Sequence, residues 1–155
     1  MLINELFKPV MTGKWAIDGQ LATYEFVVAN REYTIHAQYF DMRDEEEYGG
    51  QLDSYNFDLA HILEYWAVEF KLNEAMDSYG ITKSGNAGQV FGNIIGALRV
   101  LLQDHVKISG ALFFTAKEKS RQSMYDALVK RIGTNVRVQI EESKYPNGSR
   151  GYLIT

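Results

Sequence analysis

Between Lys83 and Gly88 the chain reads KSGNAG, a run in which Ser84, Gly85, Ala87 and Gly88 keep side-chain bulk to a minimum around Asn86. Small residues ahead of a helix let the backbone come close to a bound group. Their N–H groups can then cradle an anion such as a phosphate or pyrophosphate. Lys83 would add a charge and Ser84 a hydroxyl. A plain strand-to-helix turn has the same composition, so the run defines a candidate cofactor-binding loop and its alternative at once. No G-x-x-x-x-G-K-S/T pattern occurs, which argues against a nucleotide-hydrolysing loop. A second group of cations, Lys117, Lys119 and Arg121, follows an apolar run and could attract an anionic ligand or simply face water at a helix start. His36, His61 and His105 have neither ligand spacing nor a partner motif and receive no chemistry. The absence of cysteine removes disulfides, thiolate catalysis and cysteine-bound zinc together.

The loop needs a strand before it and a helix after it, and the pattern supplies both. HILEYWAVEFKL places Tyr65, Ala67, Glu69 and Lys71 on one side and the mostly apolar Glu64, Trp66, Val68, Phe70 and Leu72 on the other. From about Ala87 to Asp104, Val90, Phe91, Ile94, Ile95, Leu98, Leu101 and Leu102 fall on one helical arc. Gly88, Gly92 and Gly96 lie beside that arc. Each interior glycine costs a helix about 1 kcal/mol relative to alanine, so this smooth flank implies close packing against a neighbour. Upstream, KWAID, ATYEFVVA and EYTIHAQYF read as a meander with a turn at Asp18-Gly19. Downstream come the continuous apolar strand ISGALFFTA, a helix capped by Ser120 and carrying Met124, Leu128 and Ile132, and the strands VRVQIEE and GYLIT about a tight turn at Asn147-Gly148.

A length of 155 residues with 46% hydrophobic content suits one domain with a real core, spanning 1–155. Residues 1–12 are expected to form an N-terminal arm and the acidic run 41–59 an exposed loop without calcium-loop spacing. The net charge of -4 and the lack of a basic stripe argue against a sequence-independent nucleic-acid binder. The missing signal region and membrane-length apolar run suggest a soluble intracellular protein. The expected fold is a single α/β (α+β) domain with a mostly antiparallel sheet of six or seven strands and two main helices, in the order β-β-β-β-α-β-α-β-β. Ten tyrosines exceed what such a core requires, which leaves aromatic surface for a protein partner or self-association.

Over roughly residues 20–155, this order resembles the central part of the GNAT-type N-acetyltransferases. Their Q/R-x-x-G-x-G/A loop corresponds to KSGNAG, with Lys83 at the Q/R, Asn86 at the first glycine and Gly88 at the second. The resemblance implies that Lys83, Ser84, Gly85, Asn86, Ala87 and Gly88 hold the pyrophosphate of acetyl-coenzyme A. It also implies a catalytic pair. Tyr125 would be the general acid toward the coenzyme sulfur, and Glu69 the general base if an amine is the substrate. The family's second motif, N-x-x-A-x-x-x-Y-x-x-x-G-F, is altered to Glu118 at the asparagine, Arg121 at the alanine and Lys130 at the final aromatic, with the glycine arriving only at Gly133.

INELF at the start, YGIT-SGNA-VF, and FTAKEKSR followed by YDALVKR look like a family of small uncharacterised proteins of tailed bacteriophages, across essentially the whole chain. The two resemblances together imply a phage-encoded GNAT-like protein, in the host cytoplasm or the virion. With three family positions changed, the sequence weighs toward a non-catalytic interaction module, either a virion component or an inhibitor of a host protein. An acetyl-coenzyme A dependent N-acetyltransferase is the alternative, so the expected cofactor is none or acetyl-coenzyme A.

Overall fold

A computed structural model describes residues 13–44, 50–71, 87–132, 135–146 and 148–155. Seven strands form one sheet: β1 (Trp15–Asp18), β2 (Leu21–Val28), β3 (Arg31–Asp41), β4 (Glu64–Lys71), β5 (Gly110–Ala116), β6 (Val138–Glu142) and β7 (Arg150–Ile154). They lie in the order β1-β2-β3-β4-β5-β7-β6. Only β4 and β5 run parallel. Helix α1 (Gly50–Asp53) is one turn, while α2 (Ala87–His105) and α3 (Lys119–Val129) are the main helices. The chain is thus α+β, with its strands and main helices in the expected order.

Alternation in the meander sets two faces. Tyr24, Phe26, Tyr33, Ile35 and Ala37 are buried on one side, where Trp66, Val68, Phe70, Leu112 and Phe114 join them. Both main helices cover that side, α2 through Val90, Ile94, Leu98 and Leu101 and α3 through Tyr125, Leu128 and Val129. Helix α2 is buried all round from Val90 to Leu98, Gly92 and Gly96 included, so the glycine flank packs closely as its spacing implied. Trp15 Nε1 donates to the Ala97 carbonyl at 2.8 Å, tying the edge strand to the same helix. The Arg99 guanidinium donates to the carbonyls of Ile132 (2.5 Å) and Arg131 (2.7 Å) and so satisfies the end of α3.

The second face corrects the expected loop over 41–59. Residues 45–49 lie outside the described set, but Leu52, Tyr55, Phe57 and Ile62 are buried against Tyr65, Phe113 and Leu153. The acidic composition of 41–59 hid three apolar anchors, Leu52, Tyr55 and Phe57. Their segment crosses β5 and β7 as a strap, held by Lys144 N–H donating to the Ser54 carbonyl at 2.8 Å and by the Tyr55 hydroxyl 2.7 Å from Ser149 Oγ. The strap also explains why β6 and β7 are joined by seven residues, 143–149, rather than by a tight two-residue turn. Ser143 bridges to Tyr55 and continues the ladder to Ser149, so the connection itself holds the strap. Asn147 lies outside the described residues.

Two further expectations change. Helix α3 starts at Lys119 with Glu118 as its N-cap, without a side-chain cap bond, so Ser120 lies inside the helix rather than capping it. Tyr24, Tyr33, Tyr55, Tyr65, Tyr125 and Tyr152 are buried, so the aromatic surplus mostly fills both cores instead of marking a surface. The expected arm 1–12 and Gly133 lie outside the described residues.

Gly151 is where strap and sheet meet. A Cβ there would stand 2.9 Å from the Tyr55 ring and 3.0 Å from Phe57. Gly151→Ala is expected to destabilise the fold by about 1–3 kcal/mol through overpacking. Chemical denaturation should show the midpoint falling; an unchanged midpoint would mean that the strap does not pack on β7 as described.

Candidate functional site

The parallel ladder between β4 and β5 is short. It runs from Glu64↔Gly110 to Ala67↔Phe113, four pairs. Beyond it β4 stays paired to β3, through Glu69↔His36 and Phe70↔Ile35, while β5 stays paired to β7, through Phe114↔Tyr152 and Thr115↔Gly151. The two strands therefore part at their C-terminal ends, which lead toward the starts of α2 and α3. A cavity of about 940 Å³ runs from the open sheet face through this split. Open ends of parallel strands next to helix starts are where α/β proteins place ligands.

The split brings Glu69 and Tyr125 together on one cavity. Glu69 is exposed on the open face, directly across from His36, which in turn pairs with Thr23. His36 and Thr23 line the cavity as well. His36 carries no motif of its own, because its pairing depends on the β3–β4 register, and 22 residues of loop and strap separate those strands. The alternation of EYTIHAQYF did place His36 opposite the buried face.

Behind the split, Tyr125 is 6% exposed and packs against one ring from each side of the gap, Phe70 at 5.3 Å and Phe114 at 5.5 Å between centroids. Phe70 and Phe114 also meet each other at 5.5 Å. Burial pushes the Tyr125 phenol up to about 12, with Arg121 pulling it down and Glu118 up. The hydroxyl is therefore protonated at neutral pH, as a proton donor must be. Tyr125 thus belongs to the core and lines the cavity at once.

A polar network fixes α3 beneath the sheet. The Tyr152 hydroxyl donates to Asp126 Oδ1 at 2.6 Å and lies 3.0 Å from the Gln122 carbonyl. Arg150 bonds both Glu142 and Asp126 at 2.6 Å, which holds its guanidinium well above its ordinary value. The buried Gln122 amide reaches the carbonyls of Gly148 (2.7 Å) and Ala116 (3.1 Å), clamping the end of β5.

The mouth of the cavity is cationic. Lys117 and Arg121 line it, and Arg121 Nε is buried without a hydrogen-bond partner among the described residues. A buried, unused guanidinium N–H is costly unless a ligand accepts from it. Of the expected cofactor loop, Lys83, Ser84, Gly85 and Asn86 lie outside the described residues. Ala87 opens α2, and Gly88 is half-buried in its first turn. Lys119 begins α3 but does not line the cavity. Among the described residues no group of three His, Asp or Glu could hold a metal ion, and no described helix is long and apolar enough to cross a membrane. No protein-family model, curated protein or solved structure matches the chain.

The Tyr125 shift sets an alkaline limit on stability. The folded phenol is raised above its ordinary value of 10.0, so the stabilisation is complete below that value and is lost as pH rises toward 12. Tyr39, raised to about 12 by burial and its bond to Glu64, acts in the same window. Thermal melts should show stability falling between about pH 10 and 12, and Tyr125→Phe should flatten part of that fall. An identical alkaline fall in Tyr125→Phe would contradict the assignment.

Proposed function

We propose that the chain is a GNAT-type protein that binds an acyl thioester of coenzyme A and passes the acyl group to an amine. The observation that carries this reading is the β4–β5 split, because it puts a carboxylate, a protonated buried phenol and a cationic mouth on one cavity. That donor set fits a polyanionic carrier: Lys117 and the Arg121 Nε–H, without a partner among the described residues, would meet its phosphates, and the loop at 83–88 would add backbone donors next to α2. When bound, the coenzyme supplies an acyl carbon activated by a thiol leaving group.

The chain's own residues then divide the work. The edges of β4 and β5 that face each other past Ala67 and Phe113 offer backbone groups to an extended, amide-bearing chain, as an open sheet edge does. Phe70 and Phe114 exclude water on the helix side. Glu69 serves the amine on the open face, and Tyr125 donates its proton toward the sulfur. The changed second motif does not oppose this reading, since Arg121 and Glu118 stand at the mouth and at the helix cap rather than in place of Tyr125.

The interaction-module reading, with a phage origin, rests on a different observation. Ile108 is wholly exposed and Leu63 is 42% exposed, together forming an apolar patch at the opposite end of β4 and β5 beside His61 and Lys107. Recovery of the protein from purified virions, abolished by Ile108→Asp with the fold intact, would favour that reading.

Calorimetric titration with acetyl-coenzyme A tests the acyltransferase reading. Micromolar binding is expected, with loss on Gly88→Trp, which fills the start of α2, and at least a tenfold loss on Arg121→Ala, about 1.4 kcal/mol. Silence up to millimolar ligand would overturn it.

A further inference from the structure

We infer that Glu69 does not act alone: His36 accepts the proton from the attacking amine, and Glu69 is the positioning carboxylate that orients and charge-balances its imidazolium. This rests on the acyl-transfer reading. Glu69 is exposed, and carboxylates as a class are weak acceptors for a proton leaving an amine at neutral pH. An imidazole near 6.5 is matched to that task. The register supplies one. His36 is the direct cross-strand partner of Glu69, with Cβ atoms about 4.5–5.5 Å apart in such a pair, which is within reach for a carboxylate to bond a ring nitrogen.

Apart from Glu69, the side chains in direct register with His36 are neutral. Straight across on β2 stands the neutral Thr23, and the neighbours along β3 on the same face are Thr34 and Gln38. The diagonal positions are Leu21 and Glu25 on β2 and Ala67 and the backbone of Lys71 on β4, so among the described side chains the charged groups facing His36 are Glu69 in direct register and Glu25 one step away. Lys117 and Arg121 lie at the α3 mouth, by the other strand of the split. The cavity is therefore polarised, with its anionic half on the open face where an amine would enter.

The step balances. The amine nitrogen bonds to the acyl carbon as the carbon–sulfur bond breaks; the nitrogen's proton passes to the His36 imidazole and the Tyr125 proton passes to the leaving sulfur. Solvent then takes the proton from His36 and returns one to Tyr125.

Two measurements decide it. Nitrogen NMR of the three histidine rings should show the His36 ring tautomer changing in Glu69→Gln, with His61 and His105 unmoved. An unmoved His36 would overturn the pairing whatever the chemistry. With acetyl-coenzyme A and spermidine or free lysine as acceptor probes, His36→Gln should lower turnover by about a hundredfold and remove the acid limb of the pH profile, while coenzyme affinity in calorimetry stays unchanged. Coenzyme binding with turnover and pH profile unaffected by His36→Gln would overturn this inference and spare the acyl-transfer reading. Absence of coenzyme binding would overturn both.

Discussion

Everything that could do chemistry in this protein depends on two parallel strands that stay together for four residue pairs and then part. Up to Ala67 and Phe113 the sheet is continuous, and past them each strand keeps only its outer partner. A split in a sheet exposes backbone donors and acceptors inside the fold and would be costly if left dry and unpaired. Here one face of the split is floored by Phe70, Phe114 and Tyr125, and the other opens to solvent between β3 and the strap. The cavity is therefore a consequence of strand pairing rather than of any one side chain.

The rest of the architecture keeps that split from closing or collapsing. On the helix side, the Tyr152, Asp126 and Arg150 network and the Gln122 amide hold α3 at a fixed depth under β5 and β7. On the open side, the strap covers β5 and β7 but leaves Thr23, His36 and Glu69 uncovered beside it. One half of this sheet face is thus sealed by Tyr55 and Phe57, and the other is left polar. Gly151 permits the seal, because any side chain there would meet both rings.

Much of the architecture was legible in the sequence, and the reasons are local. Alternation in EYTIHAQYF and in EYWAVEFK assigns every buried residue of β3 and β4 to its face, and the helical arc of α2 is set by seven apolar residues at helical spacing. What was hidden is non-local. The strap looked like an acidic loop because its anchors, Leu52, Tyr55 and Phe57, are spaced by neither helix nor strand periodicity. His36 looked idle because its partner, Glu69, lies 33 positions away and is specified only by a one-residue register. That Tyr125 and Glu69 line one cavity depends on the length of the β4–β5 ladder, which no composition or spacing encodes.

Chemical-shift mapping of the labelled protein with coenzyme A alone tests the central claim without requiring turnover or an acceptor. The perturbed resonances should cluster along both lips of the split, from Val68 to Phe70 and from Phe114 to Lys117, together with the Tyr125 ring and the Arg121 Nε–H. Perturbations confined to the patch around Leu63 and Ile108, or none at millimolar ligand, would contradict it.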